Sequence, residues 1–402
     1  MKKVQIRLPR IIIQLETSIK ANRQKLRGVF KYANLYGPWD FHLIGERAVE
    51  QKLSHFRKWG GTGVITDGSD PELLQRVVES RLPTVIIDPP DYSFSIVQKQ
   101  KFSQVSCDSF AIGEMGARYL WEHEFKNFAF IGAIHDPTWS RDRYIGFCRF
   151  LKERNIDCHV YEAASDAEKK DWAIEEKRMR CWLVKLPKPV AIMAAMDVRG
   201  RQILEVCRKV ELNVPNEVAV LGVDNDELIC QSCSPPLSSV VTDEEGGGFL
   251  AAKFLDDRMQ KGIIKPCSAT YLPISVSSRR STEAILIPDK LIVKALEFIW
   301  MNSGITISSL DVVKHLGYSK RMVELRFRKA MGHSIMDEIQ KVRLERVCSL
   351  LRGTELLIGE ISHICGYESE SYLGKIFKTH VGVTMSEYRQ ERSVSNPITW
   401  QG

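Results

Sequence analysis

Between residues 310 and 392 the chain nearly repeats itself, and that repeat restricts its fold more than any other feature. Gly317-Tyr318 returns 49 residues later as Gly366-Tyr367, while Ser319, Val323, Phe327 and Gly332 return 50 residues later as Ser369, Leu373, Phe377 and Gly382. One residue added in the turn accounts for the change of offset. Just upstream, Val312 and Leu316 return as Ile361 and Cys365. Each copy reads as an apolar helix, a tight turn containing Gly, and a second helix opened by a Ser N-cap, which is the helix-turn-helix arrangement. Val323 and Phe327 lie four apart and face inward, leaving Lys320, Arg321, Glu324 and Arg328 outside. In the second copy Leu373 and Phe377 face inward and Glu370, Ser371, Gly374 and Lys375 face out. For a single copy, a plain helical hairpin with a solvated face competes with this reading. Two copies in register weigh against it.

Between the copies, residues 335–351 carry apolar side chains at 335, 339, 342, 347, 350 and 351 and no Gly or Pro. A helix of about 17 residues spans roughly 25 Å. Such a rod can hold two reading helices near the ~34 Å that separates successive major-groove faces. Charge is concentrated here. Residues 314–346 hold nine Lys and Arg against four acids, a local +5, whereas the whole chain has 57 basic and 50 acidic residues, a net +7. A basic footprint of this kind attracts phosphate.

The run Ile361-Ser362-His363-Ile364-Cys365-Gly366-Tyr367, followed by Ser371-Tyr372-Leu373, Phe377-Lys378, Gly382-Val383-Thr384 and Tyr388-Arg389, resembles the signature of AraC-type transcription regulators. Met385 stands where that family usually has proline. The resemblance implies double-stranded promoter DNA as partner, with RNA polymerase as a second partner if the protein activates. It also implies base contacts from Arg321, Glu324 and Leu325 on the first reading helix and from Glu370, Ser371 and Lys375 on the second, with Lys320 and Arg328 beside them. The chemistry is sensible, since Arg can fork onto guanine and Glu can accept from cytosine.

Residues 10–280 have a different texture. Short apolar runs at 11–15, 40–44, 63–66, 84–87, 128–132, 190–194 and 218–223 read as strands, and amphipathic segments at 24–34, 72–80, 112–122, 144–153 and 200–209 read as helices. Strands alternating with helices require crossover connections, hence an α/β fold of parallel sheets with helices on both faces. About 270 residues exceed one such sheet, so two lobes are expected. The expected organisation is a sensor over 1–282, a linker at 283–290, an all-α double helix-turn-helix domain over 291–392 and a tail at 393–402.

The sensor half carries a second resemblance. Val105-Ser106-Cys107-Asp108 with Gly113 and Leu120, Arg143-Tyr144-Ile145-Gly146-Phe147, Pro215-Asn216-Glu217-Val218 leading to Gly222-Val223-Asp224-Asn225, Pro236-Leu237-Ser238-Ser239-Val240 and Arg279-Arg280-Ser281-Thr282 are similar to the effector domain of LacI/GalR-type repressors, a periplasmic-binding-protein-like fold. With the first expected strand about ten residues in, that family's N-terminal DNA-binding headpiece is not expected here, and the C-terminal module is expected to take its place. Sugar recognition needs carboxylates that accept from hydroxyls, a guanidinium that donates, and an aromatic face for the C–H side of the ring. Arg143 stands at the family's effector-binding arginine; Asp224 and Asp197 follow strands that end at the interlobe cleft. Trp139 is the candidate stacking face and Asp67 the first-lobe candidate. Against these stand an interlobe ion pair for Arg143 and Asp224, capping for Asp197 and Asp67, and a core role for Trp139. Carrying both modules, the chain resembles sugar-operon regulators, and that resemblance implies a pentose effector, D-xylose first, a homodimer, and ligand-dependent activation of catabolic genes.

Other function classes are weaker. No run of 18 apolar residues exists to span a bilayer, and Arg7 and Arg10 interrupt the place where an export signal needs its apolar core. A cytoplasmic protein without membrane association is expected. Ten cysteines in 402 residues do not make a disulfide framework, and most are expected to be small buried hydrophobes. Cys230 and Cys233 have the spacing of half a zinc site without a second pair, Gly246-Gly247-Gly248 lacks the strand-to-helix context and lysine of a phosphate loop, and no catalytic triad or cofactor motif appears. Neither a metal, a cofactor nor an enzymatic activity is therefore expected. The rivals are a DNA-alkyl-transfer enzyme on the same DNA-binding module, which needs an activated cysteine, and a sugar-binding protein with an architectural tail.

Overall fold

The computed structural model describes residues 8–44, 60–134, 137–162, 172–261, 265–283, 289–302, 305–354 and 356–390. Most of the expected linker and all of the expected tail lie outside them. The chain divides into two units, Met1–Ile285 and Leu286–Gly402.

Two six-stranded sheets form the first unit. One contains β1 (Arg10–Gln14), β2 (Asp40–Ile44), β3 (Gly63–Thr66), β4 (Thr84–Ile87), β5 (Ser103–Cys107) and β11 (Ser268–Tyr271), in the order β11-β5-β4-β3-β1-β2. The other contains β6 (Asn127–Ile131), β7 (Cys158–Tyr161), β8 (Val190–Ala194), β9 (Val218–Val223), β10 (Ser238–Thr242) and β12 (Pro273–Ser277), in the order β12-β10-β9-β8-β6-β7. Ile11, Ile12 and Ile13, and every residue of β8 and β9, are buried. Strands covered on both faces have no polar side, so they read as continuous apolar runs. All pairings are parallel except that of β12 with β10. The exception has a simple cause: the chain passes from β11 to β12 through Leu272 alone, with no helix to return it in the same direction.

The helices of this unit are α1 (Lys20–Tyr36), α2 (Pro71–Ser80), α3 (Phe94–Gln100), α4 (Ser109–Glu122), α5 (Thr138–Lys152), α6 (Trp172–Lys185), α7 (Asp197–Lys209), α8 (Glu227–Ser232) and α9 (Glu244–Lys261). The two sheets exchange helices. Helix α4 leaves the first sheet and packs Ile112, Ala117 and Leu120 into the core of the second, while α9 leaves the second and packs Ala251, Ala252 and Leu255 into the core of the first.

These helices seat against α5 and α1 through glycine. A Cβ on Gly113 would lie 1.9 Å from the Arg143 carbonyl oxygen, and one on Gly146 2.1 Å from that of Phe110. In the other lobe a Cβ on Gly248 would lie 1.9 Å from the Lys25 carbonyl oxygen, and one on Gly28 1.9 Å from that of Glu245. Any side chain there would force the helix backbones apart. The triplet Gly246-Gly247-Gly248 therefore does follow a strand and open a helix, contrary to the sequence reading. Its last member, Gly248, serves helix packing, while Gly246 and Gly247 make room for the Asp243 and Tyr271 side chains.

The second unit is helical: α10 (Lys290–Met301), α11 (Ser309–Leu316), α12 (Lys320–Met331), α13 (Ile335–Gly353), α14 (Ile358–Ile364), α15 (Glu370–Val381) and α16 (Met385–Gln390). The repeated glycines explain the repeat. Gly317 and Gly366, in the two turns, have φ of 71° and 74°; Gly332 and Gly382, ending the two reading helices α12 and α15, have φ of 77° and 85°. Only glycine adopts these conformations without strain. Ser369 caps α15 through its side chain, accepting from Tyr372 N, but Ser319 makes no such bond to α12. Met385 opens α16 and is buried beside Leu373, Phe377 and Tyr388, so its apolar side chain does structural work where proline was expected.

Of the ten cysteines, all free, five are buried, three half-buried and two exposed. The expectation that most are buried overstates it: Cys181 lies on an outer helix face and Cys267 beside a sheet edge, both open to solvent. Among the described residues no helix is long and apolar enough to cross a membrane, and no three His, Cys, Asp or Glu side chains cluster as metal ligands.

Candidate effector site and nucleic-acid interface

Parallel sheets open their ligand crevices at the carboxyl ends of their strands, and the buried charges of the sensor lie there. In the second lobe, α5 delivers Arg143 with 6% of its surface exposed. Its Nη1 donates to the carbonyl of Ala195, just past β8, and its Nη2 lies 3.6 Å from Asp224 Oδ1, just past β9. Trp139, one turn earlier on α5, lies beneath the guanidinium, 4.7 Å from ring centroid to Cζ. Arg143 Nε is buried and has no protein acceptor.

Asp224 sits at φ 94° and Asn225 at φ 47°. Such backbone is uncommon outside glycine and persists only when its surroundings hold it. Here Asn225 N donates to Ser239 Oγ at 2.9 Å, Arg279 donates to Asn225 Oδ1 at 2.7 Å, and Asp226 N donates to Asp197 Oδ2 at 2.6 Å. The other Asp197 oxygen accepts from Ser239 Oγ at 2.6 Å. Asp197 is only 2% exposed and both its oxygens are engaged, so it braces the loop that presents Asp224.

Four of the five residues singled out from sequence, Trp139, Arg143, Asp197 and Asp224, thus share one network. Asp67 is apart, half-buried after β3, where its Oδ1 accepts from Ser69 N at 2.9 Å. Its neighbours are first-lobe polar groups: Gln14 donates to Ser69 Oγ at 3.2 Å, and Tyr92 donates to the Gly68 carbonyl at 2.5 Å.

Sequence reasoning missed the first lobe's own buried charges. Lys25, on α1, lies 2.6 Å from Asp88 Oδ2 and 3.4 Å from Glu244 Oε2; the Tyr271 hydroxyl lies 2.7 Å from an oxygen of each carboxylate and can give its one proton to either. Asp88 follows β4 at φ 50° and accepts from Cys107 N at 2.7 Å. The lobes therefore match: Lys25 stands three residues before Gly28 and pairs with the aspartate after β4, while Arg143 stands three before Gly146 and pairs with the aspartate after β9. That shared spacing was the available signal. Burial pulls the Lys25 pKa down, but Asp88 and Glu244 outweigh it and hold the ammonium above its ordinary range. Burial opposes the charge on Asp88 as well, yet Lys25 brings its pKa below the usual value. Glu244 is pushed up, mainly by burial.

Two sets of bonds join the lobes. Lys20 donates to the Asp224 carbonyl at 3.3 Å and to that of Asn225; reciprocally, Asp91 accepts from Thr138 N at 3.2 Å and from Arg141 Nη2 at 3.2 Å.

Burial, and then neighbouring Asp224, push the Asp197 carboxyl up to about 7. A raised carboxylate pKa means that the unfolded chain, near 3.9, loses its proton first, so this group's stabilisation is complete below about pH 4 and is lost as pH rises toward 7. Asp197→Asn keeps an acceptor for Asp226 N and can donate to Ser239 Oγ. Chemical denaturation of the sensor is expected to show a gain of about 1.5 kcal/mol from the substitution at pH 5, rising to about 4 kcal/mol at pH 8. An unchanged pH slope would place the proton elsewhere.

In the second unit, Lys320, Arg321, Glu324, Leu325 and Arg328 on α12 are exposed, as are Glu370, Ser371 and Lys375 on α15. Leu325 is 71% exposed although apolar. Lys320 lies 3.8 Å from Glu324, so part of the helix's charge is paired on its own surface. Helix α12 holds five basic residues and one acid, whereas α15 holds two Lys and one Glu. The two outward faces are unequal in charge.

Residues 117–282 match the periplasmic binding protein-like domain family, and residues 312–391 match the helix-turn-helix domain family. The xylose operon regulatory protein of Escherichia coli K12 is 29% identical over 388 residues, covering 96% of this chain and 97% of its own. Along its length, this chain is similar to the xylose operon regulators. The Haemophilus influenzae regulator is also 29% identical, over 81% of this chain and 84% of its own. A solved structure of a xylose-binding transcription activator superposes with a TM-score of 0.80 at 29% identity, covering 96% of this chain and 98% of that one. Both regulators and the solved activator cover the two units of this chain in one alignment.

Proposed function

We propose that this protein is a sugar-responsive, sequence-specific DNA-binding transcription regulator, and that its effector is D-xylose, whose binding activates catabolic genes. Similarity to xylose regulators through both units supports the regulator reading over that of an alkyl-transfer enzyme sharing only the DNA-binding module. The observation that carries the effector reading is Arg143: a buried guanidinium with an aromatic face beneath it, a carboxylate beside it and one donor left unpartnered. That combination suits a neutral ring with several hydroxyls, which accepts from Arg143, donates to Asp224 and lays its C–H face on Trp139. Asp197 serves by holding the Asp224 loop, and Asp67 by offering a carboxylate from the first lobe. On the DNA side, Lys320, Arg321, Glu324, Leu325 and Arg328 enter one major groove and Glu370, Ser371 and Lys375 the next. The protein acts in the cytoplasm as a homodimer whose DNA-bound form contacts RNA polymerase.

Thermal unfolding in the presence of single monosaccharides tests the effector. A ligand at 100 times its Kd adds about 2.7 kcal/mol to the folded state, so D-xylose is expected to raise the sensor's melting temperature clearly while glucose, ribose and arabinose do so less. A larger response to another sugar would keep the class and replace the effector. Silence toward every sugar would remove the sensor reading.

A further inference from the structure

Residues 284–288 carry the chain from the sensor into the helical unit, and Asp289 is the first described residue after them. Its carboxylate has two tasks. Oδ1 caps α10 by accepting from Leu291 N at 3.0 Å, and both oxygens form a fork with Arg326 on α12, at 2.7 Å to Nε and 2.5 Å to Nη2. The partners are 37 residues apart in sequence, and this two-point geometry is the strongest that a guanidinium and a carboxylate make.

The position of Arg326 on its helix gives the fork a consequence. At 100° per residue, Val323 and Phe327 define the buried side of α12, Arg321 and Leu325 the outermost side, and Arg326 one flank. A helix lying in a major groove turns its tip to the bases and its flanks to the backbones on either wall, where unpaired arginines bind phosphate. Arg326 is 44% exposed at its side chain, so it is within reach of solvent and of a groove wall, but its Nε–Nη2 edge is occupied by Asp289 and its Nη1 turns to Met322 Sδ at 3.7 Å. Among the basic residues of α12, Lys320 is held at 3.8 Å by an acid on the same helix, whereas Arg326 is held by an acid from the end of the linker.

We propose that Asp289 is an autoinhibitory contact of the first reading helix: the fork withholds Arg326 from the DNA backbone, and any change that draws Asp289 away adds one phosphate contact. This inference rests on the DNA-binding reading of α12. It assigns Arg326 to backbone affinity rather than base recognition, and it gives the linker a direct electrostatic hold on that affinity.

Asp289→Asn tests it cleanly, because asparagine caps a helix as well as aspartate does but cannot hold the fork as an ion pair. Binding of the full-length protein to a random-sequence duplex is measured between 50 and 200 mM salt. Each phosphate contact adds about 0.9 to the slope of log affinity against log salt. The variant is expected to bind more tightly at 50 mM and to lose about 3.5-fold more affinity than wild type across that range. Arg326→Gln alone should leave the wild-type slope unchanged, and Asp289→Asn with Arg326→Gln should restore it. An unchanged slope in Asp289→Asn overturns the proposal, as does a steeper slope that survives in the double variant, since the added charge would then act without Arg326. A shallower slope in Arg326→Gln alone overturns it too, by showing Arg326 already on phosphate. If the wild type binds no duplex at all, the DNA-binding reading falls and this inference with it.

Discussion

Lys25→Met is expected to destabilise the sensor by about 3 kcal/mol, because it leaves one buried and one half-buried carboxylate without their cation. Methionine matches most of the lysine stem, so packing changes little. Charge does change: Asp88 and Glu244 lose an ammonium held 2.6 and 3.4 Å away, with only the Tyr271 hydroxyl left between them. Two neighbouring carboxylates, one of them buried, resist being ionised together, so one takes up a proton more readily. The variant therefore recovers part of its loss as pH falls, and its deficit should be smaller at pH 5 than at pH 8. Glu244→Gln in the same chain should also recover part by removing one charge. Urea unfolding of the single and double variants at both pH values measures these effects. Equal losses at the two pH values would mean that Lys25 contributes through packing alone.

How far the sequence reveals this molecule depends on what each pattern reports. Fully buried strands such as Ile11-Ile12-Ile13 announce themselves because nothing polar interrupts them. By contrast β5 and β10, Ser103–Cys107 and Ser238–Thr242, carry serines that interrupt the apolar run yet bond inside the fold, as when Ser238 N donates to Ser281 Oγ at 2.8 Å, and so are missing from the expected strands. The helical repeat was legible because four glycines obey a backbone requirement that no other residue meets cheaply. Lys25 was not, since a lysine on an amphipathic helix ordinarily marks the solvent side; only the fold, bringing Asp88 and Glu244 from 63 and 219 residues away in sequence, makes it internal. The glycine triplet misled for a related reason. Gly248 meets the backbone of another helix and Gly247 the Tyr271 ring, partners that no local pattern names. Asp197 was found as a strand-end carboxylate, but whether such a group faces a ligand or braces a loop is decided by its neighbours, here Ser239 and Asp226.

Asp224 carries the second large expectation. Its side chain is 26% exposed, 3.6 Å from Arg143, on backbone at φ 94°. Alanine at that φ adds strain of its own, so Asp224→Asn is the cleaner variant, asparagine tolerating left-handed backbone far better. A charge-assisted hydrogen bond from a sugar hydroxyl becomes a neutral one, and effector affinity is expected to fall about 10- to 100-fold, or roughly 1.4–2.8 kcal/mol. Alanine should cost more, because it also removes the side-chain acceptor that asparagine keeps for the sugar hydroxyl and for Arg143. Operator affinity without sugar should change little in either variant, since the second unit is untouched. One further effect separates a charge role from a shape role. Asp224 is part of what pushes the Asp197 carboxyl up to about 7, so Asp224→Asn should lower that pKa and shift the pH range over which sensor stability declines toward more acidic values. Isothermal titration with D-xylose and denaturation across pH 4–8 read both effects on the same protein. Normal sugar affinity together with a shifted pH profile would leave Asp224 as an electrostatic neighbour of Asp197 and remove it from the effector site.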